Sequence, residues 1–153
     1  MNKIQINLLI EKPVRFNRRR LKTMLEEICR RKRVKAVVLN VHITGSRQIK
    51  KVNRKYLNST RDTDVISFDL SDSFEPLRHF DLIVNAEMAQ KKADRFGHKF
   101  ESELALYVIH GLLHNLGYDD IEPEKAKKMH RMEDKILIEF GYGAAYSRGR
   151  ART

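Results

Sequence analysis

Two histidines four residues apart, His110 and His114, stand near the end of a mostly apolar stretch. On an α-helix that spacing puts both rings on one face, close enough to share one metal ion. Two imidazoles leave a tetrahedral site incomplete, so a further ligand must come from the chain just past the helix. Gly117 permits such a return, because glycine enters the left-handed backbone region without a steric cost. Asp120 follows at a suitable offset, giving the pattern His110-x3-His114-x2-Gly117-x2-Asp120. Three protein ligands with a fourth position left for water is the layout of a catalytic zinc site, one ion per chain. Asp119 and His130 are the reserve ligands. The structural alternative for Asp120 is to cap the helix that follows, with Pro123 in its first turn. His42, His79 and His98 lack comparable company and are expected to be structural or exposed. A helical zinc peptidase places a glutamate after its first histidine as general base; here that position is Gly111, which argues against peptidase chemistry.

Hydrophobic periodicity lays out the elements that must position these residues. Residues 3–10 alternate as a strand, and Asn17 caps a helix to residue 31 with Leu21, Leu25, Ile28 and Cys29 along its apolar stripe. Val37, Leu39, Val41 and Ile43 alternate as a second strand ended by Gly45, and Ser46 caps a short helix through Tyr56. After a loop over 58–63, residues 65–70 and 80–84 read as the third and fourth strands, joined by a turn at 72–76. A helix over 86–96 ends at Gly97. The helix from Glu101 to Leu116 carries Leu106, Ile109, Leu112, Leu113 and Leu116 on a wide apolar face, which makes it the central, buried one. A last helix covers 122–140. Residues 1–140 thus form a single domain, and 141–153 read as a basic, disordered tail.

A chain of 153 residues fits one ordinary domain. The longest apolar run, Leu104 to Leu116, is too short and too interrupted to cross a bilayer, and the N-terminus lacks a secretory pattern, so a cytoplasmic protein without a membrane partner is expected. The lone cysteine, Cys29, falls in a helical apolar stripe and reads as a packed residue. Charge is unevenly placed: residues 1–35 carry +9 of the net +11, and the tail adds Arg148, Arg150 and Arg152. A near-neutral body with basic margins suits a polyanionic partner, above all the phosphate backbone of RNA, with Arg18, Arg19 and Arg20 the first candidates for holding it and Arg30 to Arg33 the next.

The run His110-Gly111-Leu112-Leu113-His114-Asn115-Leu116-Gly117-Tyr118-Asp119-Asp120 resembles the signature of the YbeY family, a helical His-Gly-x-x-His followed by Leu-Gly-Tyr-Asp-His. Thr63-Asp64-Val65-Ile66-Ser67-Phe68 is similar to that family's Thr-Asp-Val-Leu-Ser-Phe strand, Asp81 to Val84 resembles its next strand, and Ala126 to Glu133 matches its final helix in pattern. The resemblance covers residues 36–138. It implies an α+β fold with a mixed sheet of four strands packed with five helices and the metal site at the end of the central helix. It also implies a zinc-dependent endoribonuclease that acts on ribosomal RNA, at the 16S 3′ end, and in small-subunit quality control. Three positions depart from the pattern. Asp120 stands where the family has its third histidine, Leu57 follows Tyr56 where the family has an arginine suited to phosphate binding, and Phe80 replaces a glycine before the strand aspartate. Arg61 or Arg54 is the cation placed to substitute for the missing arginine, and Thr63 and Ser67 are placed to orient ligands or substrate. The rival readings are an RNA-binding assembly factor whose metal is structural or lost, and a zinc hydrolase of another substrate.

Overall fold

The computed structural model describes residues 3–146, in the order β1 (Lys3–Ile10), α1 (Arg18–Arg31), β2 (Ala36–Thr44), α2 (Ser46–Leu57), β3 (Val65–Asp69), β4 (Arg78–Asn85), α3 (Ala86–Phe96), α4 (Phe100–Asn115) and α5 (Pro123–Glu139). The four strands form one mixed sheet ordered β1-β2-β4-β3. β1 and β4 run parallel to β2 on either side of it, and β3 is an antiparallel edge strand on β4. This is the α+β architecture that the resemblance implies. No helix among the described residues is long and apolar enough to cross a membrane.

Register decides which residues share a face, because successive side chains on a strand alternate. Ile6, Leu39 and Phe80 lie side by side across three strands, as do Leu82 and Ser67. This face carries the main core, where Leu21, Leu25, Ile28 and Cys29 of α1 and Leu104 to Leu113 of α4 meet Val37, Leu39, Val41, Ile43, Leu82 and Val84. The Cys29 thiol is fully buried, and that burial pushes its pKa up to about 11. The opposite face is more polar, carrying Asn7, Asn40, His42, His79 and Asp81; α2 covers part of it through a smaller cluster of Ile49, Ile66 and Ile83.

Helix ends follow local chemistry. Asn17 caps α1, its side chain accepting from Arg20 N at 3.0 Å, and Asn85 caps α3 in the same way through Met88 N. The expectation that Ser46 caps α2 is corrected. Gly45 is the N-cap without a side-chain bond, and the Ser46 hydroxyl donates instead to Asp62 at 3.0 Å, tying α2 to the loop before β3.

The expected tail is corrected as well, since residues 141–146 pack onto the domain. Gly141 turns the chain at φ 81°, after which Tyr142 and Ala145 are buried. Tyr142 O accepts from Ser102 Oγ at 2.6 Å, and the Arg20 guanidinium lies 4.1 Å from the Tyr142 ring centroid. Asp134 accepts from the Ala145 and Tyr146 amides at 2.7 and 3.1 Å. One aromatic anchor and a satisfied turn thus hold a segment whose Gly/Ala composition reads as loose. Residues 147–153, with Arg148, Arg150 and Arg152, lie outside the described residues.

Tyr142→Ala is expected to lower the unfolding free energy by about 3 kcal/mol, as for other large buried aromatics; a loss below about 0.5 kcal/mol, the range of surface changes, would mean that the segment is not anchored. A second check concerns the tie between α1 and α5, where Arg31 Nη2 meets Glu139 Oε2 at 2.6 Å. Hydrogen bonding to Arg31 holds the Glu139 carboxyl below the usual glutamate range. A depressed native pKa gives stability that is present above the unfolded value of about 4.3 and is lost as pH falls through the native one. Glu139→Gln should therefore lower the melting temperature slightly at pH 7 and not at all at pH 2; a deficit that persists in acid would contradict the ion pair as its source.

Candidate metal centre

α4 is apolar on nearly every side, and residues 102–109 together with 111–113 are buried. His110 and His114 are its partly exposed exceptions near the C-terminal end, their ring centroids 4.5 Å apart and nearly perpendicular. The helix then stops in the manner the glycine predicts. Gly117 has φ 99°, its N–H donates to His114 O at 3.0 Å, and Tyr118 N–H reaches back to Leu113 O at 3.0 Å. That reversal returns Asp120 to the histidines. Asp120 Oδ2 lies 3.5 Å from His110 Nε2, Asp120 Oδ1 lies 3.5 Å from His114 Nε2, and the two Nε2 atoms are 3.0 Å apart.

The donor set can be tested against a metal by its edges. Arms of about 2.0–2.1 Å in a tetrahedron imply edges of about 3.3 Å; the two Nε2 atoms, 3.0 Å apart, come near that value, while each lies 3.5 Å from a different Asp120 oxygen, so the carboxylate must turn to present one oxygen to a shared ion. His110, His114 and Asp120 are close enough to hold one ion. The alternative that Asp120 caps the next helix is not what the structure contains: the N-cap of α5 is Glu122, without a side-chain cap bond. Asp119 is engaged elsewhere, accepting from Ile121 N and pairing with Lys125 at 3.5 Å. His130 is turned to the C-terminal segment, stacked 3.8 Å from Tyr146.

Glu133 of α5 is the functional residue that sequence reasoning passed over. Its side chain is fully buried, and its Oε2 lies 2.9 Å from His110 Nδ1. An imidazole that donates from Nδ1 presents its Nε2 lone pair outward, the tautomer a metal requires. The only sequence signal was a carboxylate on the apolar side of a helix, beside Met129 and Ile136.

Electrostatics separate the two rings. Burial works against charging His110, but the Glu133 carboxylate outweighs it and raises the His110 pKa, with smaller help from Asp64 and Asp120. Burial, reinforced by His110, lowers the pKa of His114 and favours its neutral, metal-binding form. Burial raises the Glu133 pKa against the pull of His110.

The other sequence candidates are dispersed. Thr63 Oγ1 accepts from Asn53 Nδ2 at 3.0 Å, within a network in which Asn85 Nδ2 reaches Ser46, Asp62 and the Thr63 carbonyl. Ser67 lies on the α4-facing side of β3, one alternation beyond Val65. Arg54 is exposed in the last turn of α2, and Arg61 is exposed in the loop beyond it. Arg18 and Arg19 are exposed at the start of α1, whereas Arg20 is engaged by Glu101 at 3.0 Å. Glu101 begins α4 and His114 nearly ends it, so a rise of 1.5 Å per residue places this cluster about 20 Å from the metal centre.

A family model described as Endoribonuclease YbeY matches residues 6–141. The Endoribonuclease YbeY of Lysinibacillus sphaericus (strain C3-41) is 39% identical over 105 residues, spanning 62% of this chain and 67% of the relative. That of Shouchella clausii (strain KSM-K16) is 35% identical over 121 residues, spanning 71% and 76%. The solution structure of TM1509 from Thermotoga maritima superposes with a TM-score of 0.62 at 28% identity, over 90% of this chain and 92% of that one. With the sheet order, the histidine pair and the returning aspartate already in place, this match over most of its length means that the chain belongs to the YbeY endoribonuclease family.

Proposed function

We propose that the protein is a zinc-dependent, single-strand-specific endoribonuclease that matures ribosomal RNA at the 16S 3′ end and takes part in small-subunit quality control in the cytoplasm, with one ion per chain. The observation that carries this reading is the convergence of His110 Nε2, His114 Nε2 and the Asp120 carboxylate in a chain whose relatives cleave RNA by name. Bound zinc would polarise a phosphoryl oxygen and make its water more acidic. Glu133 keeps the His110 ring in register and tautomer, and the turn at Gly117 delivers Asp120. The cations placed to hold the RNA strand are Arg54 and Arg61 on the α2 side and Arg18, Arg19 and Arg20 on α1, with Thr63 and Ser67 flanking the path along β3.

The rival reading, an RNA-binding assembly factor without catalysis, draws on Leu57, a half-exposed leucine where the family pattern has an arginine. The same experiment separates the two. Zinc-loaded protein is expected to hold about one ion and to cut single-stranded RNA, and His114→Ala should lose both, because two ligands no longer close a site. Metal retained in full by His114→Ala would reject the site; metal lost with no cleavage by the wild type would favour the assembly factor. Asp120→Ala should weaken zinc binding while Asp120→His preserves it, since imidazole serves the same position; unchanged affinity in Asp120→Ala would remove Asp120 from the ligand set. Glu133→Ala, which leaves all three ligands in place, should cost about 10–100-fold in metal affinity, and wild-type affinity there would show that the His110 ring needs no holder.

A further inference from the structure

We infer that the cleft beside the metal loop, lined by Arg33, Lys35, Arg78 and Asn115, is the subsite that holds phosphates of the RNA strand next to the scissile bond. The inference rests on the RNA reading above. The cleft has a volume of about 550 Å³, and one of its walls is made by Asn115, Leu116 and Gly117. Those residues directly follow His114 and precede Asp119 and Asp120 in the chain, so the cleft is built on the same segment that carries two of the candidate ligands.

The charge there is in excess. Arg33 and Lys35 are exposed and form no ion pair with any described residue. Arg78 is held in place by Asp69 at 2.9 Å and Ser71 at 3.2 Å, with its guanidinium 5.2 Å from the Phe80 ring centroid. Three cations and one carboxylate therefore surround a concavity, the arrangement that draws in and retains phosphate.

Two further features are costly unless a ligand accounts for them. Asn115 Nδ2 is buried without a hydrogen-bond partner, although the same side chain lines the cleft. A rotation about χ2 offers that donor to a phosphate or ribose oxygen. Arg33 has φ 58°, the left-handed conformation that closes α1 through Arg33 N–H to Arg30 O and Val34 N–H to Cys29 O, both at 3.0 Å. Glycine or asparagine is the usual occupant of that position, and an arginine there accepts backbone strain to place a forked cation at the mouth of the cleft. The Arg18–Arg20 cluster cannot serve the same nucleotide, since it sits at the far end of α4.

The test is the salt dependence of binding to a single-stranded RNA oligonucleotide by the full chain. Each phosphate contact on a single strand contributes about 0.7 to the slope of log affinity against log salt. Arg33→Gly with Lys35→Gln is expected to weaken binding and to flatten the slope by about 1.4, the sum of two such contacts. Metal content should stay at the wild-type level. Because glycine adopts the αL turn freely, the melting temperature should hold or rise, so the loss cannot come from unfolding. Lys91→Gln, an exposed lysine on α3 outside the cleft, should leave affinity as it is. An unchanged slope in the double variant beside a wild type that binds and cleaves RNA overturns the cleft alone. A wild type that does not bind RNA overturns this inference together with the function on which it rests.

Discussion

The approach of α4 to the sheet at Gly111 is the constraint on which the site depends. A Cβ at that position would stand 2.9 Å from Leu82 Cδ2 and 3.0 Å from Val65 Cγ2, so any larger residue requires those side chains or the helix itself to shift. With glycine there, the helix seats at one distance and one rotation about its axis, and the neighbouring core residues of α4 all find apolar partners. His110 precedes this contact by one residue and His114 follows it by three, so their directions are fixed by the packing. The His110 ring then reaches Glu133 of α5 in the interior, and both rings face the Asp120 carboxylate that the turn brings back. The metal geometry is in this sense a by-product of how closely a helix lies on a sheet.

Asp120, Phe80 and Leu57 take on physical content in this setting. Asp120 faces one oxygen to each histidine, and a carboxylate brings a charge that an imidazole does not, partly neutralising any cation it helps to hold. Phe80 is fully buried and pairs across the sheet with Leu39 and Asp69. It fills volume at the base of the core and gives Arg78 an aromatic edge to lie against. Leu57 leaves the end of α2 without a cation at that position, beside an exposed Tyr56 that meets Phe68 edge-on at 5.7 Å.

Much of this fold is legible in the sequence because its signals are periodic or steric. Strand alternation in residues 3–10 and 36–44, the Asn17 cap and the Gly97, Gly117 and Gly141 stops all match the observed elements. The histidine pair and the aspartate after the glycine were visible for the same reason, since local spacing fixes their geometry. What escaped were contacts between distant segments. Glu133 looks like any polar helical residue until α5 packs beside α4. Arg20 belongs to a run of surface charge in sequence, yet Glu101 and Tyr142 hold it. Tyr142 is one aromatic residue among glycines and alanines, and its burial depends on Ser102, forty residues away.

Two imidazoles and one carboxylate, fixed by a helix and a glycine turn, are placed to share a single ion. X-ray absorption at the zinc edge of the metal-loaded protein tests that arrangement most directly. The expected spectrum shows nitrogen and oxygen neighbours at about 2.0–2.1 Å, no sulfur, and more distant scattering from two imidazole rings. A shell of oxygen alone, or scattering from fewer than two rings, would contradict it.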